Sequence, residues 1–84
     1  MLLMSLEVLQ RYAWTGEPLR LGPAWTVRKG RRSATCELWT HQLGWELRLA
    51  SGASLLRSQV CRTQDEVLST YETWKAAMQG KGWR

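Results

Sequence analysis

The chain has 84 residues, 44% hydrophobic and 23% charged, so it makes one small folded domain and leaves no room for a multidomain enzyme. Twelve Lys+Arg against seven Asp+Glu give a net charge of +5, and six Trp stand beside no Phe at all. Cys36 and Cys61, the only two cysteines, can form at most one bridge, which excludes a disulfide scaffold and fits reduced thiols in a cytoplasmic protein. A core of this size supplies only about 3 to 5 kcal/mol of net stability, so a second copy of the chain is the expected support and a homodimer the expected assembly.

Residues 2–13 place apolar side chains at 2, 6, 9 and 13 and again at 3, 8 and 12, with Glu7, Gln10, Arg11 and Trp14 opposite. That spacing predicts an N-terminal helix with a wide apolar stripe. The run has no basic leader and no small-residue cleavage site, so it does not read as a signal peptide. It also falls short of the roughly 20 apolar residues that span a bilayer, and no membrane association is expected. Residues 15–23 hold both prolines, Pro18 and Pro23, together with Gly16 and Gly22, and read as an extended connector.

From Trp25 the period changes to two. Trp25 and Val27 alternate with Thr26 and Arg28; Ala34, Cys36 and Leu38 with Thr35, Glu37 and Trp39; Trp45, Leu47 and Leu49 with Glu46 and Arg48. Turn chemistry separates these runs at Lys29-Gly30-Arg31, His41-Gln42-Leu43-Gly44 and Ser51-Gly52-Ala53. A fourth strand over about residues 54–61 completes an antiparallel sheet spanning 25–61, although its inward face is ambiguous. Thr63-Gln64-Asp65-Glu66 then fits a capping box, and Val67, Tyr71, Trp74 and Met78 form one stripe of a helix over 64–80. Gly80-Lys81-Gly82 ends that helix and lets Trp83 fold back onto the core. The expected fold is α+β: an N-terminal helix, a four-stranded antiparallel β-meander, and a C-terminal helix packed on the Trp25/Val27/Cys36/Leu38/Trp45/Leu47/Leu49 face of the sheet. All of it forms a single domain over 1–84.

No catalytic machinery is visible. The chain has no Gly-x-Ser-x-Gly elbow, no phosphate-cradling glycine loop and no His-Glu-x-x-His, and its one histidine, His41, lies in a hairpin loop. Cys36, His41 and Cys61 match no common zinc spacing, so neither a metal nor another cofactor is expected. Glu37 and Glu46 share the polar side of the sheet with Arg28, Arg48 and Arg57, where cross-strand ion pairing explains all five.

Binding is the better prospect. Arg28, Lys29, Arg31 and Arg32 supply four of the five net charges within five residues, at one hairpin tip. Such a tip suits phosphate contacts in a nucleic acid, and equally suits an ordinary solvated turn. Trp39 stands on the polar face among Thr35, Glu37, Glu46 and Arg48. If that face is open, Trp39 is a stacking platform for a base; if the N-terminal helix or a second subunit covers it, Trp39 is core. The expected site is therefore Arg28, Lys29, Arg31, Arg32 and Trp39, in a non-enzymatic nucleic-acid-binding protein. The alternative is a protein-interaction or regulatory subunit whose partner meets the apolar N-terminal helix.

Ala34-Thr35-Cys36-Glu37-Leu38, Gly44-Trp45-Glu46-Leu47-Arg48, Arg57-Ser58-Gln59-Val60-Cys61-Arg62, Trp74-Lys75-Ala76-Ala77-Met78 and Lys81-Gly82-Trp83 resemble segments of a group of short bacterial proteins of unknown function. That resemblance implies no activity. Four antiparallel strands followed by a long helix are also similar in topology to the dimeric single-stranded-DNA-binding coactivator and Whirly families. Their nucleic-acid faces are strongly basic, whereas Glu37 and Glu46 occupy the equivalent face here.

Overall fold

Once the side-chain period becomes two, each successive run can bury one face only by pairing with its neighbours. The computed structural model describes residues 14–84: strands β1 (Arg20–Lys29), β2 (Arg32–His41), β3 (Gly44–Ser51) and β4 (Ser54–Cys61), then helix α1 (Gln64–Gly80). The sheet order is β1-β2-β3-β4, with every neighbour antiparallel, which is the expected meander.

One face carries the core. Trp25 and Val27 of β1, Ala34, Cys36 and Leu38 of β2, Leu47 and Leu49 of β3 and Cys61 of β4 are all buried there. Helix α1 lays Val67, Tyr71, Trp74 and Met78 against them, and Trp83 closes one end. Trp45 packs against this cluster but stays half-buried. The Trp25 indole N–H donates to the Tyr71 carbonyl over 3.0 Å, so one ring both fills the core and fastens the helix to β1. Thr40, the one buried polar residue of the described core, is satisfied locally. Its Oγ1 accepts the Leu19 N–H at 2.8 Å while its own N–H donates to the Leu19 carbonyl at 2.9 Å, which ties the connector to β2.

Both ends of α1 follow from their residues. Thr63 Oγ1 accepts from the Glu66 N–H at 3.1 Å, and the Glu66 carboxylate reaches back to the Arg62 N–H at 3.2 Å. At the other end Trp83 N–H donates to the Met78 carbonyl and Gly82 N–H to that of Gln79, with Gly82 at φ 94°. This is a Schellman motif, and the residues at its two ends, Met78 and Trp83, are both buried in the same core cluster.

Three expectations change. Among the described residues the fold has one helix, at their C-terminal end. No N-terminal helix is supported, and the 2–13 segment on which it was expected lies outside the described residues. Periodicity over about a dozen residues is weak grounds for a helix without a packing partner, because stretches of that length are marginal in water. Strand β1 starts at Arg20 rather than Trp25, taking in Gly22 and Pro23. It does so through register shifts between Arg20 and Gly22 and between Pro23 and Trp25, irregularities that an edge strand tolerates. Arg57 leaves the polar face: it pairs in register with Leu49, and its guanidinium lies 4.6 Å from the Trp74 ring centroid on the helix side.

Candidate nucleic-acid interface

The meander brings the β1–β2 turn to one end of the sheet, and α1, starting at the other end after β4, runs back toward it. The chain beyond α1 therefore arrives beside the basic hairpin. Arg28 N–H donates to the Arg84 carbonyl at 2.7 Å and Arg84 N–H to the Arg28 carbonyl at 2.8 Å, a two-way strand-like pairing. Lys29 Nζ donates to the Lys81 carbonyl at 2.6 Å, and the Arg32 guanidinium sits 5.2 Å from the centroid of the buried Trp83 ring.

Six cations gather at this end as a result: Arg28, Lys29, Arg31, Arg32, Lys81 and Arg84, every one of them exposed. The ion pairs among the described residues are Arg20 with Glu37 and Arg48 with Glu46, so none of the six is ion-paired there with an Asp or Glu side chain. Asp65 and Glu66 lie in the first turn of α1, at the opposite end of a 17-residue helix about 25 Å long. The charge is thus sorted along the molecule. Lys29 and Arg32 are held by a carbonyl and a ring that leave them charged and able to donate further hydrogen bonds.

Sequence reasoning finds Arg28, Lys29, Arg31 and Arg32 because they are contiguous, and misses Lys81 and Arg84. A signal was available. The glycines of Gly80-Lys81-Gly82 fold Trp83 back onto the core, and the cations flanking that tryptophan must follow it.

Trp39 is not brought to this end. It lies seven residues along β2 from Arg32, about 23 Å at strand rise, on the sheet face opposite α1. No layer of described residues covers that face. The Arg48 guanidinium lies 4.3 Å from the Trp39 ring centroid and is itself bonded to Glu46, leaving the indole half-buried. A base stacking on the ring face that Arg48 occupies must displace that side chain.

Among the described residues, no group of three or more His, Cys, Asp or Glu converges as metal ligands would. Burial pushes the Cys36 thiol up to about 12, with Cys61 and Glu37 adding in the same direction, and burial raises Cys61 as well. Both cysteines are free and buried. Thiols held protonated in a core are poor nucleophiles and poor ligands, and they pack as small hydrophobes. The arrangement thus offers fixed positive charge with flexible donors, suited to phosphate. The alternative reading, a protein partner meeting a 2–13 helix, rests on residues outside the described ones.

No protein-family model, no curated protein and no solved structure matches the chain. Among the described residues no helix is long and apolar enough to cross a membrane.

Proposed function

We propose that this chain is a small non-enzymatic, cytoplasmic nucleic-acid-binding protein that takes backbone phosphates on the end formed by Arg28, Lys29, Arg31, Arg32, Lys81 and Arg84. The observation that supports this reading is the convergence of six exposed cations, from two segments distant in sequence, on one end with no Asp or Glu side chain ion-paired to them among the described residues. An ordinary solvated turn carries charge too, but here Lys81 and Arg84 add to it from the segment beyond α1. The cations are placed to neutralise phosphates, releasing counterions as they do so. Backbone phosphates carry no sequence information, so binding is expected to be weakly selective among sequences.

A filter-binding titration with single- and double-stranded DNA and RNA at two salt concentrations tests this. Binding at low salt is expected, and four duplex phosphate contacts should lower the affinity about a hundredfold between about 50 and 200 mM salt. Reversing Arg28, Lys29, Arg31 and Arg32 to Glu should abolish it. Undiminished binding by the reversed protein, or no binding by the wild type at low salt, contradicts the proposal.

A further inference from the structure

The two edges of the sheet are treated differently by the sequence. An edge strand offers a row of unpaired N–H and C=O groups, and proteins that stay monomeric blunt it with proline, charge, bulges or a covering segment. Strand β1 has all four. It contains Pro23 and two register irregularities, begins and ends in Arg20, Arg28 and Lys29, and has Arg28 capped by the Arg84 backbone. Strand β4 has almost none. Over Ser54-Leu55-Leu56-Arg57-Ser58-Gln59-Val60-Cys61 there is no proline and a single charge, and that charge lies over Trp74 on the helix side. One irregularity, between the Leu49–Arg57 and Ala50–Leu55 pairs, leaves Leu56 without a partner on β3. No described backbone group outside β3 bonds to β4. Three of the large exposed apolar side chains sit on it: Leu55 at 59%, Leu56 at 46% and Val60 at 37%.

We infer that β4 is the homodimer interface, pairing antiparallel with β4 of a second copy to extend the sheet to eight strands. The strand's own sequence argues for a second copy. A two-fold axis at Ser58 sets Ser58 against Ser58, Leu56 of each copy against Val60 of the other, and Arg57 against Gln59. That register joins apolar to apolar and opposes no like charges, whereas an axis one residue earlier would set two Arg57 guanidinium groups face to face. Pairing by two-fold symmetry is isologous and closes, so it consumes the open edge without building a fibre. It also supplies the additional burial that a core of this size lacks.

Sedimentation equilibrium at submillimolar protein tests the inference. The wild type is expected to be a dimer. Leu56→Lys with Val60→Lys, both at exposed positions, sets lysines against lysines across the axis and should give a monomer with an unchanged far-ultraviolet circular dichroism spectrum. Leu56→Glu with Val60→Lys sets opposite charges across the same axis and should restore the dimer. As a measurement independent of any variant, the backbone amides of residues 57–60 in the wild type should gain protection from hydrogen exchange as protein concentration rises. A wild type that sediments as a monomer overturns the inference. So does a dimer whose 57–60 amides exchange independently of concentration, or a folded double-lysine variant that remains a dimer.

Discussion

Gly44 shows how little freedom the tight links of this sheet allow. Its φ is 141°, and a Cβ at that position would stand 2.5 Å from the Cys61 carbonyl oxygen and 3.2 Å from the Arg62 Cα, both backbone atoms that cannot swing away. Gly44→Ala should therefore cost at least about 2 kcal/mol and lower the melting temperature by about 10 °C. A thermal melt within a degree or two of wild type would refute that. Cys36 carries a second residue-scale consequence. Its thiol is raised from the ordinary 9.0 to about 12 by burial, and the native state therefore holds a proton that the unfolded chain releases above about pH 9. Its contribution is complete below that pH and is lost as the pH rises toward 12. Burial moves Cys61 and Tyr71 the same way, which steepens the loss. Urea midpoints should be level from neutral pH to about 8.5 and fall above 9. A Cys36→Ala variant should show a shallower fall, and an identical slope in the two proteins would contradict the assignment.

At the scale of elements, α1 and the two central strands were legible because each advertises itself by a pattern with one physical cause. The Val67, Tyr71, Trp74, Met78 stripe is buried in full, Thr63 caps the helix while Glu66 reaches back one residue further than a capping box requires, to the Arg62 N–H, and β2 and β3 bury the side that alternation selects. The edge strands were less legible for a common reason. Strand β4 exposes every residue but Cys61, so no alternation marks its inward side, and β1 admits Gly22 and Pro23 because an edge can absorb irregular register. The 2–13 pattern predicted a helix that is not supported, since an apolar stripe does not name the surface that would cover it. Trp83 was legible through its neighbours: glycines on both sides of Lys81 let it return to Met78. Trp83→Ala should remove about 3 kcal/mol or more, enough to leave much of the protein unfolded at room temperature. Trp14→Ala, at an exposed ring, should leave the melt nearly unchanged. Equal effects from the two substitutions would mean that the C-terminal segment does not close the core.

For the molecule as a whole, the important property is where the net charge of +5 resides. The hairpin cations could be found in the sequence by contiguity, whereas Lys81 and Arg84 join them only because α1 runs antiparallel to β4 and its Schellman turn returns the chain to β1. Trp39, grouped with the basic hairpin on the strength of its polar neighbours, proves to be a strand's length away under Arg48, a separation that alternation along a single strand does not reveal. Phosphate binding at one cationic end has a signature that neither general basicity nor a hydrophobic contact can imitate. The most direct test compares the salt dependence of nucleic-acid affinity for three proteins: wild type, Arg28→Ala with Arg31→Ala, and a control with the same charge change elsewhere, Arg62→Ala with Lys75→Ala. The hairpin variant should bind more weakly and lose about one unit of slope in log K against log salt for each phosphate contact removed, while the control keeps the wild-type slope. Equal slopes in the hairpin variant and the control would contradict the proposed site.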